Sequence, residues 1–265
     1  MFPFSDDVPS QRMPVVTVAI IVLNALAFLY INRLPDESQR LFVVEHGFIP
    51  ARLSELPQGR AIELDLDALS GESHLHSPFA IHKRVRLPAA PRQILLTLVT
   101  SLFLHGGWMH LIGNMWFFWI FGDNVEDRLG HGPFLVFYLA GGVFASLCHW
   151  LSGPASGVPV IGASGAVAAI LGAYAITWPL ARIRCLVLLV VIVTMIELPA
   201  LVVLGFWFLT QLLEASRQTQ LGVDGGVAFW AHVGGFVAGM IAMPLLRGPA
   251  PPRREYVTPP PEMRL

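Results

Sequence analysis

The sequence predicts an all-α, polytopic membrane protein built as a bundle of six transmembrane helices. Hydrophobic residues make up 54% of the 265 residues and charged residues only 13%, whereas charged residues form about a quarter of an ordinary soluble chain. Uncharged apolar stretches also approach the length that crosses a hydrocarbon core of about 30 Å. The predicted spans are residues 15–31, 104–121, 133–151, 161–180, 198–213 and 226–246.

The first span follows Pro14, and only Thr17 and Asn24 interrupt its apolar residues. A small-residue cleavage site, which a removed signal peptide needs, does not follow it, so we expect a membrane anchor. The next residues, 32–92, are polar and contain eight of the 17 Lys and Arg residues. This composition predicts a long extramembrane loop.

The long loop contains three histidines, His74, His76 and His82. We expect them to be solvated rather than bound to a metal, because no cysteine or ligating acidic motif accompanies them. Short amphipathic helices fit the loop pattern only loosely. Three roles therefore stay open for the loop: gating of a substrate, recruitment of a partner, or a position on the membrane surface.

One further apolar segment, residues 185–196, is too short to be a seventh span. As a helix its twelve residues would reach about 18 Å, against a hydrocarbon core of about 30 Å. Arg184, Glu197 and Pro199 bound the segment. We expect it to be interfacial or re-entrant, and this count decides on which face of the membrane the last helix begins.

The basic residues of the short loops predict that both termini are cytoplasmic. With this orientation, the short outer loops contain only Arg217. The cations of residues 32–92 point the other way, but a loop of about sixty residues is near the length at which the bias ceases to apply. The arginines placed inside are Arg12, Arg128, Arg182, Arg184, Arg247, Arg253, Arg254 and Arg264.

The predicted organisation has three parts. A cytoplasmic segment, 1–14, precedes the membrane domain, 15–246. The tail, 247–265, is rich in proline and has no apolar period, so it is predicted to be disordered and cytoplasmic. The expected location is the plasma membrane of a prokaryote.

Composition also excludes several classes of function. The net charge is −1, and no glycine-rich phosphate loop followed by lysine occurs, which argues against nucleic-acid and nucleotide partners. Cys148 and Cys185 belong to no CxxC pair or disulfide framework. We therefore expect no redox chemistry, no structural zinc and no cofactor.

Polar residues stand near the start of three predicted spans. His110 and Asn114 lie in the second, Ser164 in the fourth and His232 in the sixth, and alternate spans enter the membrane from the same side. Residues one or two turns into such helices share a depth of about 10 Å. A hydroxyl and an imidazole within hydrogen-bond reach satisfy each other and form an activated nucleophile. The chain is therefore predicted to be a hydrolase built within a membrane.

Small residues predict close packing of the fourth and sixth spans. Gly235 and Gly239 continue the stripe of the histidine, and Ala168 and Gly172 continue the face of the serine. Such surfaces allow helix backbones to approach closely. The Gly/Ser/Pro loop at 152–157 cannot expose its backbone to lipid, so we expect it to dip into a protein-lined cavity.

An oxyanion formed by attack on a peptide carbonyl would need hydrogen-bond donors in a poorly hydrated site. His110 and Asn114 are four residues apart and share one helix face. These two side chains and the backbone N–H of Ser164 are the candidate donors. His105 is assigned to support of the loop instead.

Each candidate residue also has an ordinary structural interpretation. A serine in an apolar helix usually bonds to its own backbone, a histidine in a membrane can be a core residue or a proton relay, and an asparagine can hold helices together. Packing alone does not require all three types at one depth, which favours catalysis. A transporter or metal-dependent enzyme is disfavoured, because the histidines have no HExxH motif and no neighbouring carboxylate.

Three motifs carry a family resemblance. They are Phe-Leu-His-Gly-Gly-Trp-Met-His-Leu-Ile-Gly-Asn-Met at 103–115, Gly-Ala-Ser-Gly at 162–165 and Ala-His-Val-Gly-Gly at 231–235. Together they resemble the rhomboid intramembrane serine proteases, and so do the connecting segments 48–51 and 121–127. The resemblance extends over all six predicted spans and implies a rhomboid-like six-helix bundle.

The resemblance implies a Ser–His dyad without an acidic third member. Ser164 would be the nucleophile, His232 the base and then the acid, and His110 and Asn114 would stabilise the oxyanion. The implied activity is that of a serine endopeptidase acting in or near transmembrane segments, with transmembrane proteins as substrates and membrane lipids as further partners. The alternative is a catalytically silent rhomboid-like protein that binds membrane clients; such proteins typically lack the serine or the histidine, and both are present here.

Two positions depart from the family pattern. Some rhomboids have a tyrosine four residues after the nucleophile, on which the histidine packs, and here that residue is Ala168. The orientation of His232 must therefore have another source. Others have a Trp-Arg pair in the first loop, where this chain has Arg92 and Gln93.

Overall fold

The computed structural model describes residues 2–66, 83–189, 192–221, 226–246 and 248, and these are mostly helical. The α-helices are α1 Val15–Ile31, α2 Asp36–His46, α3 Pro50–Glu55, α4 Pro91–Thr100, α5 Trp108–Leu129, α6 His131–Ser152, α7 Ser164–Thr177, α8 Ala200–Leu221 and α9 Phe229–Leu246. Short 3₁₀ helices are Leu56–Gln58 and Ser101–Phe103. The strands are β1 Phe2–Asp6, β2 Ile62–Asp65, β3 Arg84–Leu87, β4 Arg182–Leu189 and β5 Ile192–Pro199.

The long apolar helices make this a membrane protein with three or four candidate spans. Within the described ranges, α6, α8 and α9 are long and apolar enough to cross a bilayer. Residues 91–103 and α5 form a fourth candidate if this pair, bent by 81°, counts as one span. Helices α1 and α7 are apolar but shorter, with 17 and 14 residues. Each predicted span thus corresponds to a helix, whereas six crossings and the orientation of the termini stay predictions.

Helix α7 is the centre of the bundle. It packs against α5, α6, α8 and α9, and all of its residues from Gly165 to Ala175 are buried. A helix that is apolar on every side is stable only when protein or lipid surrounds it. Helix α7 is short, but neighbouring helices enclose it on all sides. Its first residue, Ser164, lies at one end of the core.

The predicted all-α class is wrong in detail, because two small sheets accompany the helices. The apolar segment 185–196 forms most of the antiparallel hairpin β4–β5, and β1 pairs with the outer side of β4. Its exclusion as a seventh helical span is confirmed. An apolar run of this length is compatible with a buried strand as well as with a helix. The third strand, β1, comes from the segment before α1, which was predicted only to be cytoplasmic.

The long first loop is largely structured where it is described. Helices α2 and α3 and the hairpin β2–β3 pack around a small core of Val44, Ile49, Leu66 and Leu87. Phe48 exchanges backbone hydrogen bonds of 3.1 and 2.7 Å with Val160, which ties this layer to the loop before α7. His74, His76 and His82 lie outside the described residues, and so does the tail predicted to be disordered, apart from residue 248.

The 121–127 motif fixes the start of α1. The Glu126 carboxylate accepts hydrogen bonds from the backbone N–H groups of Val16 and Thr17, at 2.8 and 2.7 Å, and from the Thr17 hydroxyl at 2.7 Å. Its side chain is almost fully buried. A carboxylate at this place satisfies N–H groups that have no partner within the helix and interacts favourably with the helix dipole.

Candidate active site

Ser164 is the first residue of α7, and a glycine turn leads into it. Gly162 has a φ of +120°, and its N–H donates to the backbone oxygen of Ser101 at 2.9 Å. A Cβ atom at this glycine would lie 2.6 Å from Nε2 of His110 and 3.5 Å from Nδ2 of Asn114. The absent side chain thus allows both the conformation of the turn and the close approach of α5. The structure brings three of the four predicted site residues to one turn.

His110 and Asn114 present donors to this turn from one face of α5. The N–H of Gly106 donates to Nδ1 of His110 over a long 3.4 Å, which favours the proton on Nε2, the atom that faces Gly162. Asn114 is only 8% exposed, and its Nδ2 atom has no hydrogen-bond partner within the described structure. A buried amide donor without a hydrogen-bond partner lowers the stability of the folded state. An acceptor that binds transiently at the turn explains why the donor is there.

The helix start adds a backbone contribution. The N–H groups in the first turn of α7 have no partner within the helix, and the positive end of the helix dipole lies there. Helix starts of this kind bind anions. Nε2 of His110 and Nδ2 of Asn114 lie against Gly162, two residues before this helix start.

Helices α7 and α9 are in backbone contact, as the small residues predict. A Cβ on Gly235 would overlap the backbone oxygen of Gly165, and one on Gly239 would overlap that of Ala169. A Cβ on Gly165 would in turn lie 3.8 Å from the Cβ of Ala231. The residues next to this last pair in sequence are Ser164 and His232. The close packing is confirmed, and it brings the first turns of the two helices together.

His232 is buried, with 9% exposure, and its observed partner is not the serine. Its Nδ1 atom lies 2.8 Å from Oε1 of Gln211 on α8, and its ring is 5.9 Å from that of Trp207 and 6.1 Å from that of Phe229. Among the described residues, no hydrogen bond joins it to Ser164. Nδ1 is therefore occupied, and Nε2 is the nitrogen left for other chemistry.

Gln211 and Trp207 were not predicted from the sequence. The available signal was their spacing of four residues in an apolar helix, which places an amide and an indole on one face. Both residues contact the ring of His232 from α8, and neither contact involves Ala168. Ala168 itself is fully buried, and a Cβ on Gly235 would lie 3.2 Å from its Cβ, so α9 occupies the space that a larger residue would need.

His105 lies behind the other histidine. It is 6% exposed, its ring is 5.1 Å from that of His110 in an edge-on arrangement, and neither ring nitrogen has a partner within the described structure. It belongs to the loop that precedes α5. Its assignment to loop support stays a prediction.

A cavity of about 210 Å³ adjoins the site. Its walls come from the loop after α6 and from the facing ends of α8 and α9. Ile161, which precedes Gly162 in the sequence, is one of the lining residues. Ser152 and Ser156 line it, so the loop predicted to dip into a protein-lined cavity does border one. Gln218 and Trp230 line it as well. Both polar and apolar groups thus stand beside the turn of Ser164.

Comparison with known proteins identifies the family. The family model described as the Rhomboid domain matches residues 92–249, which is more than half of the chain. The chain therefore belongs to the rhomboid family, as the motifs indicated. Family membership and the apolar helices together make it an integral membrane protein.

Named relatives match over shorter stretches. The chain is 46% identical over 69 residues to Rhomboid-like protein 11, chloroplastic, of Arabidopsis thaliana, covering 26% of this chain and 24% of the relative. It is 33% identical over 98 residues to Presenilin-associated rhomboid-like protein A, mitochondrial, of Danio rerio, covering 36% and 26%. It is 41% identical over 76 residues to Rhomboid protease GluP of Bacillus subtilis (strain 168), covering 29% and 14%. The matches thus span about a quarter of each relative or less.

Proposed function

We propose that this rhomboid family member is an intramembrane serine endopeptidase that hydrolyses peptide bonds in or near transmembrane segments of membrane proteins. The observation that carries the proposal is the turn at Gly162, where the start of α7 meets the donors of His110 and Asn114 beside the close contact with α9. The relative named as a rhomboid protease supports the same activity. Six crossings with both termini in the cytoplasm complete the proposed architecture.

Ser164 is the proposed nucleophile and His232 the proposed base. Nε2 of His232 takes the hydroxyl proton while the serine oxygen attacks the peptide carbonyl. The resulting oxyanion is stabilised by the Ser164 N–H, His110 and Asn114. The protonated imidazole then gives its proton to the leaving amine, and water repeats the sequence to release the acyl group from the serine.

Substrate and water are proposed to reach the serine through the cavity beside Ile161. Its polar and apolar lining suits an extended peptide segment that leaves the membrane, with water as the second reactant. The plasma membrane of a prokaryote stays the proposed location, whereas two of the relatives are named as chloroplastic and mitochondrial.

A second candidate is the binding of membrane clients without cleavage. The observation in its favour is that, among the described residues, no hydrogen bond joins His232 to Ser164. The two candidates differ in whether the serine reacts, because a silent protein has no use for an activated hydroxyl.

A fluorophosphonate probe tests the proposal. Purified protein in liposomes is labelled, and the modified residue is located by mass spectrometry. We expect an adduct on Ser164, and we expect Ser164→Ala and His232→Ala to abolish labelling. Ser146→Ala, which removes a buried hydroxyl from α6, is the matched control and keeps the label. A folded wild-type protein that is never labelled would favour client binding.

A further inference from the structure

His232 has a partner that the Ser–His pair of the proposed function does not include. Oε1 of Gln211 lies 2.8 Å from its Nδ1 atom. We infer that Gln211 is a positioning residue, whose amide holds His232 in the tautomer and at the angle that a general base for Ser164 requires. The inference rests on the proposed function, because the proposed reaction requires that tautomer of His232.

The orientation of the Gln211 amide follows from its other contacts. Its Nε2 atom lies 3.4 Å from the backbone oxygen of Trp207 and 3.1 Å from the hydroxyl oxygen of Thr210. The Thr210 hydroxyl donates its own proton to the Trp207 oxygen at 2.6 Å. Both neighbours therefore accept, so the NH₂ group faces them and the amide oxygen faces the histidine.

This orientation determines the tautomer of His232. An amide oxygen can only accept a hydrogen bond, so Nδ1 of the imidazole carries a proton. A neutral imidazole has one N–H, and its lone pair is then on Nε2. Only a ring with a bare Nε2 can take the proton of the Ser164 hydroxyl. Gln211 thereby fixes the tautomer as the carboxylate of a Ser-His-Asp triad does, but without a charge.

Two aromatic rings restrict the angle of the same imidazole. Trp207 is tilted by 34° to it, and Phe229 is nearly perpendicular at 89°. Trp207 lies one turn before the glutamine, so one face of α8 supplies both the hydrogen bond and a packing surface. In this chain α8 therefore orients the imidazole of His232, because Ala168 on α7 has too small a side chain to pack against it.

Kinetics of cleavage of a transmembrane reporter in liposomes test the role. Gln211→Leu removes the acceptor at similar size, and we expect kcat to fall about ten- to a hundredfold with KM unchanged, because the ring then populates the unproductive tautomer. Ser216→Ala is the matched control, since within the described part of the chain that hydroxyl on α8 bonds only to the backbone oxygen of Leu212 on its own helix. A folded Gln211→Leu protein with the wild-type kcat would overturn the inference.

The pH profile separates positioning from simple packing. Gln211→Glu restores the acceptor as a carboxylate, and we expect most of kcat to return with the acid limb of the kcat profile at higher pH, because the charge favours the protonated ring. Among the described residues, His110 of α5 and His149 of α6 are the titratable groups with an electrostatic effect on His232. An unshifted acid limb in Gln211→Glu would contradict a direct contact between the two side chains during catalysis.

Nuclear magnetic resonance of ¹⁵N-histidine gives a readout that needs no turnover. The signal of His232 is assigned by its loss in His232→Asn, and the proposal predicts the Nδ1–H tautomer in the wild type and its loss in Gln211→Leu. A wild type that holds the Nδ1–H tautomer but is never labelled at Ser164 would refute the proposed function alone. A wild type with the proton on Nε2 would refute the role of Gln211 even if the protein is active.

Discussion

The turn before Ser164 is most sharply tested by Gly162→Ala. An alanine at φ +120° has a strained backbone, which costs about 1–3 kcal/mol of stability. Its Cβ would also stand 2.6 Å from Nε2 of His110, and ordinary van der Waals contact begins at 3.4 Å, so the ring or the turn must move by about 0.8 Å, which is 3.4 minus 2.6. A misplacement of about 1 Å in an active site can lower the rate about a hundredfold.

The assay measures thermal unfolding in detergent together with the rate of fluorophosphonate labelling in liposomes. Gly130→Ala is the matched control, because Gly130 also has a positive φ, +83°, but the nearest atom to its Cβ position is Nη1 of Arg12 at 3.8 Å. We expect both variants to lose stability and only Gly162→Ala to lose labelling, by about a hundredfold. Labelling of Gly162→Ala at the wild-type rate would refute the placement of His110 against this turn.

Three further predictions follow from the same structure. Asn114→Ala should lower kcat about 10²- to 10³-fold without abolishing cleavage, since two other proposed oxyanion donors are left, and Asn24→Ala in α1 should leave kcat unchanged. Glu126→Ala should lower the stability in detergent by about 3 kcal/mol, because it removes the acceptor from the start of α1, and an unchanged melting temperature would contradict this. Burial raises the pKa of Asp6 from 3.8 to about 6, so the native state binds more protons than the unfolded state between these pH values. The free energy of unfolding should therefore fall as the pH rises from about 4 to about 6. Asp6→Asn should flatten this pH dependence in thermal unfolding.

The membrane helices could be predicted because their sequence signals are local. Uncharged runs correspond to α1 and α5 to α9, and the spacing of Gly235 and Gly239 predicts their close contact with α7 correctly. Hydropathy says little about the partners of a short apolar run, so the β4–β5 hairpin was missed. Its pairing with β1 joins residues about 180 positions apart, such as Asp6 and Ile183, which no local pattern indicates.

The residues of the candidate site also differ in how far the sequence alone predicts them. Ser164, His110, Asn114 and His232 stand out because polar side chains are rare in apolar helices. Gln211 is polar too, but one amide at a helix position has many structural uses and no motif surrounds it. Its role depends on how α8 is rotated against α9, and tertiary packing decides that rotation.

Cleavage of a transmembrane reporter in liposomes is the most direct test of the proposed role of Ser164 as a nucleophile. Wild-type protein is compared with Ser164→Ala, with Ser146→Ala as the control for the loss of a buried hydroxyl. The proposed mechanism predicts cleavage by the wild type and by Ser146→Ala, and none by Ser164→Ala. Equal cleavage by Ser164→Ala and the wild type would contradict it.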